Sequence, residues 1–206
     1  MKRVVVTGLG AVTPLGNDVQ TTWQALLAGK SGVGRISHFD ATQFTTTIAA
    51  EVKDFDPERY MDAKEVKRND PFIWYAIAAA KEAWVHSGLD QAGLNPERVG
   101  VMVGSGIGGI GTIEGQCQAY AEKGSRRISP FFVPMIIGNM AAGQVSIALG
   151  ARGPVSAVVT ACSTGTNAIG DAFRRCRCHD CRGRRGRHHT PRLGRVLFGQ
   201  GPVHPQ

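Results

Sequence analysis

Cys162 stands in the stretch PVSAVVTACSTGTNAIGDAF, residues 154–173, where a run of small and β-branched residues gives way to a polar, helix-forming one. Val155 to Val159 predicts a buried strand, and Ser163 to Phe173 predicts a helix with Ala168, Ile169 and Ala172 on one side. The thiol therefore falls at a strand-to-helix junction, just ahead of the first free amides of a helix. The positive end of the helix dipole there favours thiolate over thiol. The same amides can hold an oxyanion once sulfur attacks a carbonyl. Ser163, Thr164, Gly165 and Thr166 follow at once, so an acyl chain meets no bulk on its way to the sulfur. This geometry suits acyl transfer. A single cysteine after a strand is also a common small core hydrophobe, and spacing alone leaves both readings open.

The rest of the chain has to position that junction. Arg3 to Val6 predicts a short buried strand, turned by Gly8 and Gly10 into a loop containing Pro14. Asp18 is placed to cap a helix whose Val19, Trp23, Leu26 and Leu27 share a face and which Gly29 ends. Residues 32–39 read as loop, 45–52 as an edge strand of weak alternation, and 54–60 as a turn. Lys64, Lys67 and Arg68 lie at helical spacing on a surface segment. Pro71 then opens a helix with Ile73, Ile77, Ala80 and Trp84 on one face and Gly88 as its stop. Arg98 to Val103 predicts a second clear strand, Gly104 to Gly109 a glycine-rich loop, and Ile110 to Glu122 a helix. Strands alternating with helices point to an α/β layered fold with a largely parallel sheet.

Between Val133 and Ala151 no residue is charged, and that length approaches a membrane span. Asn139, Gln144, Ser146 and three glycines argue instead for one long helix buried in a protein interior or a subunit interface. The start of the chain has too few apolar residues before Gly8 for a signal-peptide core. With five cysteines unevenly spaced, a disulfide framework is not indicated, and the chain reads as cytoplasmic.

Of the net charge of +8, residues 175–206 carry eight Arg against one Asp, so residues 1–174 are close to neutral. The basic balance therefore gives the body no nucleic-acid-binding character. Residues 175–206 are rich in Arg, Gly, Pro and His, read as a disordered tail, and offer only Val196–Leu197–Phe198 as a strand. An abrupt Arg- and Gly-rich ending looks like translation in a shifted frame, which the other two reading frames of the gene would test. Cys176, Cys178, His179 and Cys181 crowd four soft ligands into six residues, too cramped for a tetrahedral zinc site, and no metal is expected. Gly104, Gly106 and Gly109 satisfy the G-x-G-x-x-G spacing of a dinucleotide-binding oxidoreductase. The acidic residue expected about 20 positions later is missing; Arg126 and Arg127 stand there instead.

Four stretches in order, VVVTGLGAVTPLG, VGVMVGSGIGGI, RRISPFFVPMIIGNMAAGQVSI and VVTACSTGTNAIGDAF, resemble the β-ketoacyl-acyl carrier protein synthases, and most nearly the synthase II type. The resemblance covers residues 1–174, under half of a complete enzyme of that family. It implies the N-terminal half of a thiolase-like condensing-enzyme fold, layered αβαβα when whole. It also implies that Cys162 carries the acyl group, that Ile107, Phe132 and Val133 line the acyl pocket, and that the glycine loop serves close packing. Lys64, Lys67, Arg68, Arg126 and Arg127, which by themselves read as solvated charge, match a docking patch for acidic acyl carrier protein. Substrates then arrive on that protein's phosphopantetheine, no further cofactor is implied, and the family pairs as homodimers. The two histidines and the lysine that serve decarboxylation belong to segments with no counterpart here, and His188 and His189 lack their context. A thiolase-like enzyme acting on acyl-coenzyme A is the neighbouring alternative.

Overall fold

In the computed structural model, residues 3–178 and 196–197 are described. Strand β3 (Val101–Gly104) is buried along its whole length and runs down the middle of a parallel sheet of order β4-β3-β5, with β4 at Val155–Val158 and β5 at Val196–Leu197. Successive side chains of β3 point to opposite faces. Val101 and Val103 enter a core with Ile73, Ile77 and Ala80 of helix α3 (Pro71–His86) and with Val145 of α6 (Met140–Ala148). Met102 points the other way, onto Ala168 and Ala172 of α7 (Thr164–Cys178). Helices thus cover both faces of the parallel sheet, which is the arrangement that lets β3 be apolar throughout.

Helix α1 (Val19–Leu27) begins where Asp18 accepts the Thr21 amide at 2.6 Å and the Thr21 hydroxyl at 2.8 Å, and Gly29 closes it with φ 63°. The Thr21 amide, opposed by partial burial and aided by the Thr21 hydroxyl, holds the Asp18 carboxyl below its ordinary value of 3.8. A carboxyl depressed on folding contributes stability that is complete above its unfolded value and lost as pH falls through the folded one. Asp18→Ala is expected to lower the unfolding free energy by about 1 kcal/mol at neutral pH. In urea titrations, that difference between variant and parent should shrink below pH 4.

Several local expectations are corrected. Residues 3–12 form no strand: Gly8 to Ala11 lie against α3, where the Leu9 amide meets His86 Nδ1 at 3.1 Å and the Ala11 amide donates to Glu82 at 2.9 Å. A Cβ on Gly10 would fall on the Ala79 carbonyl, so this segment packs on helix backbone instead of pairing in the described sheet. Part of the expected loop 32–39 is strand β1 (Val33–Arg35), because the weakly alternating segment supplies β2 (Ile48–Ala50) as its antiparallel partner. The uncharged run is two helices, α5 (Phe132–Ile136) and α6, broken at Ile137 and Gly138 where the glycine-rich loop packs in. Among the described residues no helix is long and apolar enough to cross a membrane. β4 is not buried; among the described residues its one strand partner is β3, and Val155 and Val159 are exposed. On α7, Ile169 is exposed although Ala168 and Ala172 are buried, and the helix continues past Phe173 to Cys178. On α1 only Ala25 is buried, with Trp23 57 % and Leu27 64 % exposed.

Val196–Leu197 does form a strand, alongside Val101 and Met102. The expected disorder of residues 175–206 otherwise falls outside the described residues beyond Cys178, as do His179, Cys181, His188 and His189. Among the described residues no group of three or more His, Cys, Asp or Glu is placed to hold a metal ion.

Candidate active site

β4 leads through Thr160 into a single 3-10 turn, Ala161–Ser163, from which α7 departs. Cys162 is the middle residue of that turn and is exposed. Ala161 adopts φ 50°, a left-handed conformation that costs a residue with a Cβ free energy and persists only where its surroundings impose it. Thr164 does much of the imposing. Fully buried, its hydroxyl accepts the Thr160 amide at 2.8 Å and donates to the Ala161 carbonyl at 2.7 Å. Asn167 donates to the Thr160 hydroxyl at 2.8 Å from the next turn of α7. These two polar side chains were not separable in sequence from the small residues around them, since their role depends on which backbone groups the turn brings within reach. The Ser163 amide closes on the Thr160 carbonyl and the Thr164 amide on Ala161. Those two amides are therefore committed to the turn, a correction to the expectation that all the amides following the thiol are free.

The glycine-rich loop between β3 and α4 (Ile110–Lys123) faces this turn. A Cβ on Gly104 would overlap the Thr164 methyl and stand 2.9 Å from the Val158 carbonyl. Gly108 has φ 88° and backs onto Ile136 and Gly138, and a Cβ on Gly109 would come within 2.8 Å of Asp70 Oδ2. The glycines thus permit close packing. At the start of α4, where a dinucleotide phosphate would sit, Asp70 Oδ2 already accepts the Thr112 amide at 3.3 Å and its hydroxyl at 2.6 Å. A buried carboxylate in that place repels a phosphate, which removes the oxidoreductase reading.

Cys162 and Ile107 share a mainly apolar cavity of about 690 Å³, walled also by Phe72, Tyr75, Ala79 and Val103. Burial, and after it the Asp70 carboxylate, push the Tyr75 phenol above its ordinary value, so the wall carries a neutral hydroxyl. Phe132 and Val133 are not among the lining residues; they begin α5, whose other end backs the glycine loop, and Val133 is exposed. Lys64, Lys67 and Arg68 are exposed on α2 (Ala63–Arg68), and Arg126 and Arg127 on a 3-10 turn after α4. The Arg68 guanidinium lies 4.7 Å from the centre of the Phe131 ring, which ties the end of α2 to the chain just past Arg127.

A doubly covered parallel sheet that presents a thiol on a strand-to-helix turn above an apolar cavity defines a nucleophile-turn α/β protein. The chain belongs to the β-ketoacyl synthase family: residues 1–182 match the family described as "Beta-ketoacyl synthase, N-terminal domain". It is 53% identical over 173 residues to 3-oxoacyl-[acyl-carrier-protein] synthase 2 of Coxiella burnetii (strain RSA 493 / Nine Mile phase I) and 51% identical over 173 to that of Staphylococcus aureus (strain N315). Each alignment covers 84% of this chain and 42% of the relative, so the chain spans less than half the length of these curated relatives. Among solved structures, a type II PKS acyl-carrier protein in complex with its ketosynthase, bound to the hexaketide, matches at TM-score 0.69 and 28% identity. That match covers 85% of this chain and 46% of the other. The fold is accordingly the N-terminal half of the thiolase-like ketosynthase architecture.

Proposed function

We propose that this chain supplies the acyl-accepting half of a β-ketoacyl-acyl carrier protein synthase of fatty-acid elongation. The observation that carries the reading is Cys162, exposed on a turn whose cavity is apolar and walled by Ile107. The Cys162 thiolate attacks the thioester carbonyl of acyl carrier protein; a new carbon–sulfur bond forms, and the pantetheine sulfur leaves and takes up a proton. In the whole enzyme, malonyl carrier protein then loses carbon dioxide. Its carbanion displaces the Cys162 sulfur from the acyl carbon, giving a β-ketoacyl product two carbons longer. The histidines and lysine implied for decarboxylation match nothing in residues 1–206, so this chain alone performs the first half-reaction and does not turn over. The working domain is residues 1–174, with Phe132 and Val133 contributing to the pocket only when the enzyme is whole. Mixing the purified chain with decanoyl carrier protein should add one decanoyl group to the Cys162 peptide. Radiolabelled malonyl carrier protein should yield no condensation product, and normal turnover would refute the half-reaction reading.

The carrier protein docks on Lys64, Lys67, Arg68, Arg126 and Arg127. Reversing Lys64 and Lys67 to Glu is expected to raise the carrier-protein concentration for half-maximal loading about tenfold at low salt. The gap from the parent should close near 1 M salt, where charges are screened within about 3 Å. Decanoyl-coenzyme A loading should be unmoved, and a preference for it in the parent would favour the thiolase-like alternative. Among the described residues β4 is an edge strand with Val155 exposed, which supports pairing with a second copy, as edges are covered in stable proteins.

A further inference from the structure

Asn69, Asp70 and Thr164 are the buried polar side chains among the described residues. Thr164 holds the nucleophile turn, and Asn69 donates to the Glu65 carbonyl at 3.0 Å to finish α2. Asp70 does something else. Only 5 % exposed, its Oδ1 accepts the Phe72 amide at 3.3 Å, capping α3, while Oδ2 accepts both the amide and the hydroxyl of Thr112 in the first turn of α4. One carboxylate therefore bridges the N-terminal ends of two helices whose first residues are far apart in sequence. Both dipoles favour the charge, and the hydrogen bonds offset its desolvation.

What this bridge fixes is the far end of the glycine-rich loop. Gly108 and Gly109 would otherwise be a hinge; Gly109 is instead pressed between the Met135 carbonyl and the Asp70 carboxylate. Ile107 hangs on that loop, one residue before the hinge, and forms the cavity wall that Cys162 shares. We propose that Asp70 is a positioning residue for acyl-chain recognition: by clamping the start of α4 to the start of α3 it sets where Ile107 stands, and so how a long chain aligns with the Cys162 sulfur. The proposal rests on the reading of this cavity as the acyl site. Asp70 and Thr112 also line this cavity, so the Thr112→Ser variant, which keeps the hydroxyl of the clamp and removes the methyl, separates positioning of Ile107 from direct contact with the chain; Asp70 takes no part in the chemistry at sulfur.

The test compares two alkylating agents with one warhead on the full 206-residue chain, chloroacetone and a chloromethyl ketone carrying a decyl chain. In each the sulfur displaces chloride, forming a carbon–sulfur bond, and the rate is read from the mass of the Cys162 peptide. The parent should favour the decyl reagent. In Asp70→Asn that preference should fall about fivefold, the effect of weakening one charge-assisted hydrogen bond, with chloroacetone reacting as in the parent. Thr112→Val should lose the same preference, Thr112→Ser should retain it, and the Asp70→Asn/Thr112→Val pair should be no worse than either alone. If Asp70→Asn does not fold, the two Thr112 variants read the same clamp. A parent that prefers the decyl reagent, together with variants that keep the preference or slow both reagents equally, would overturn the role of Asp70 alone. A parent without the preference would overturn the acyl-site reading and this proposal with it.

Discussion

Cys162→Ala should reduce acyl loading from carrier protein by about a thousandfold or more, to the level of uncatalysed transfer, because it deletes the atom that forms the new bond. Cys162→Ser should fare little better, since an alcohol lacks the sulfur's nucleophilicity at neutral pH. Neither change should cost much stability, as the side chain is exposed and contributes little to the core. Cys117 provides the contrast: it is also an exposed free thiol, but it sits on α4 away from the cavity lining. Cys117→Ala should load at the parental rate. Peptide mass spectrometry after a timed incubation separates the two. Loading that survived Cys162→Ala and vanished with Cys117→Ala would move the active thiol to α4 and dismantle the site described above.

Gly104→Ala should damage both packing and the nucleophile turn with a single methyl. The added carbon overlaps the Thr164 methyl and comes within 2.9 Å of the Val158 carbonyl, and neither neighbour has room to retreat. Thr164 is fully buried and Val158 is held in the ladder with β3. Overpacking of this kind costs about 2 kcal/mol, measurable as a lower urea midpoint at unchanged slope. The functional loss should exceed what partial unfolding explains, because the displaced residue is the one whose hydroxyl supports the Ala161 turn beside the thiol. Adding Thr164→Ser to Gly104→Ala removes the clashing methyl and keeps the hydroxyl. That pair should recover part of both stability and loading. A Gly104→Ala chain that is as stable and reactive as the parent would mean that the sheet and α7 are not packed this closely.

The helices were largely legible in sequence because their signals are local. Asp18 and Gly29 bracket α1, and Pro71 and Gly88 bracket α3; each acts on its own backbone whatever the tertiary context. The strand-to-helix placement of Cys162 was legible for the same reason. Strand status was less so, because a strand is defined by a neighbour. Val4 to Val6 has the composition of a strand but pairs with no strand among the described residues, and residues 33–35 look like loop but find a partner at 48–50. The break in the uncharged run was hidden too, since it arises where the glycine loop packs against Ile136 and Gly138, nearly thirty residues away in sequence. Asp70 was hidden most of all. Nothing in the sequence links it to Thr112, 42 residues further on.

The apolar side of α1, with Trp23, Leu26 and Leu27 in water beside Val5 and Val6 elsewhere on the surface, governs how the chain behaves over hours. Loss to aggregates that starts when two such surfaces meet proceeds by encounter between pairs. Such loss accelerates with the square of concentration. Shelf life therefore becomes a kinetic quantity, set by how dilute the chain is kept, and a sample can decay while its unfolding free energy stays unchanged.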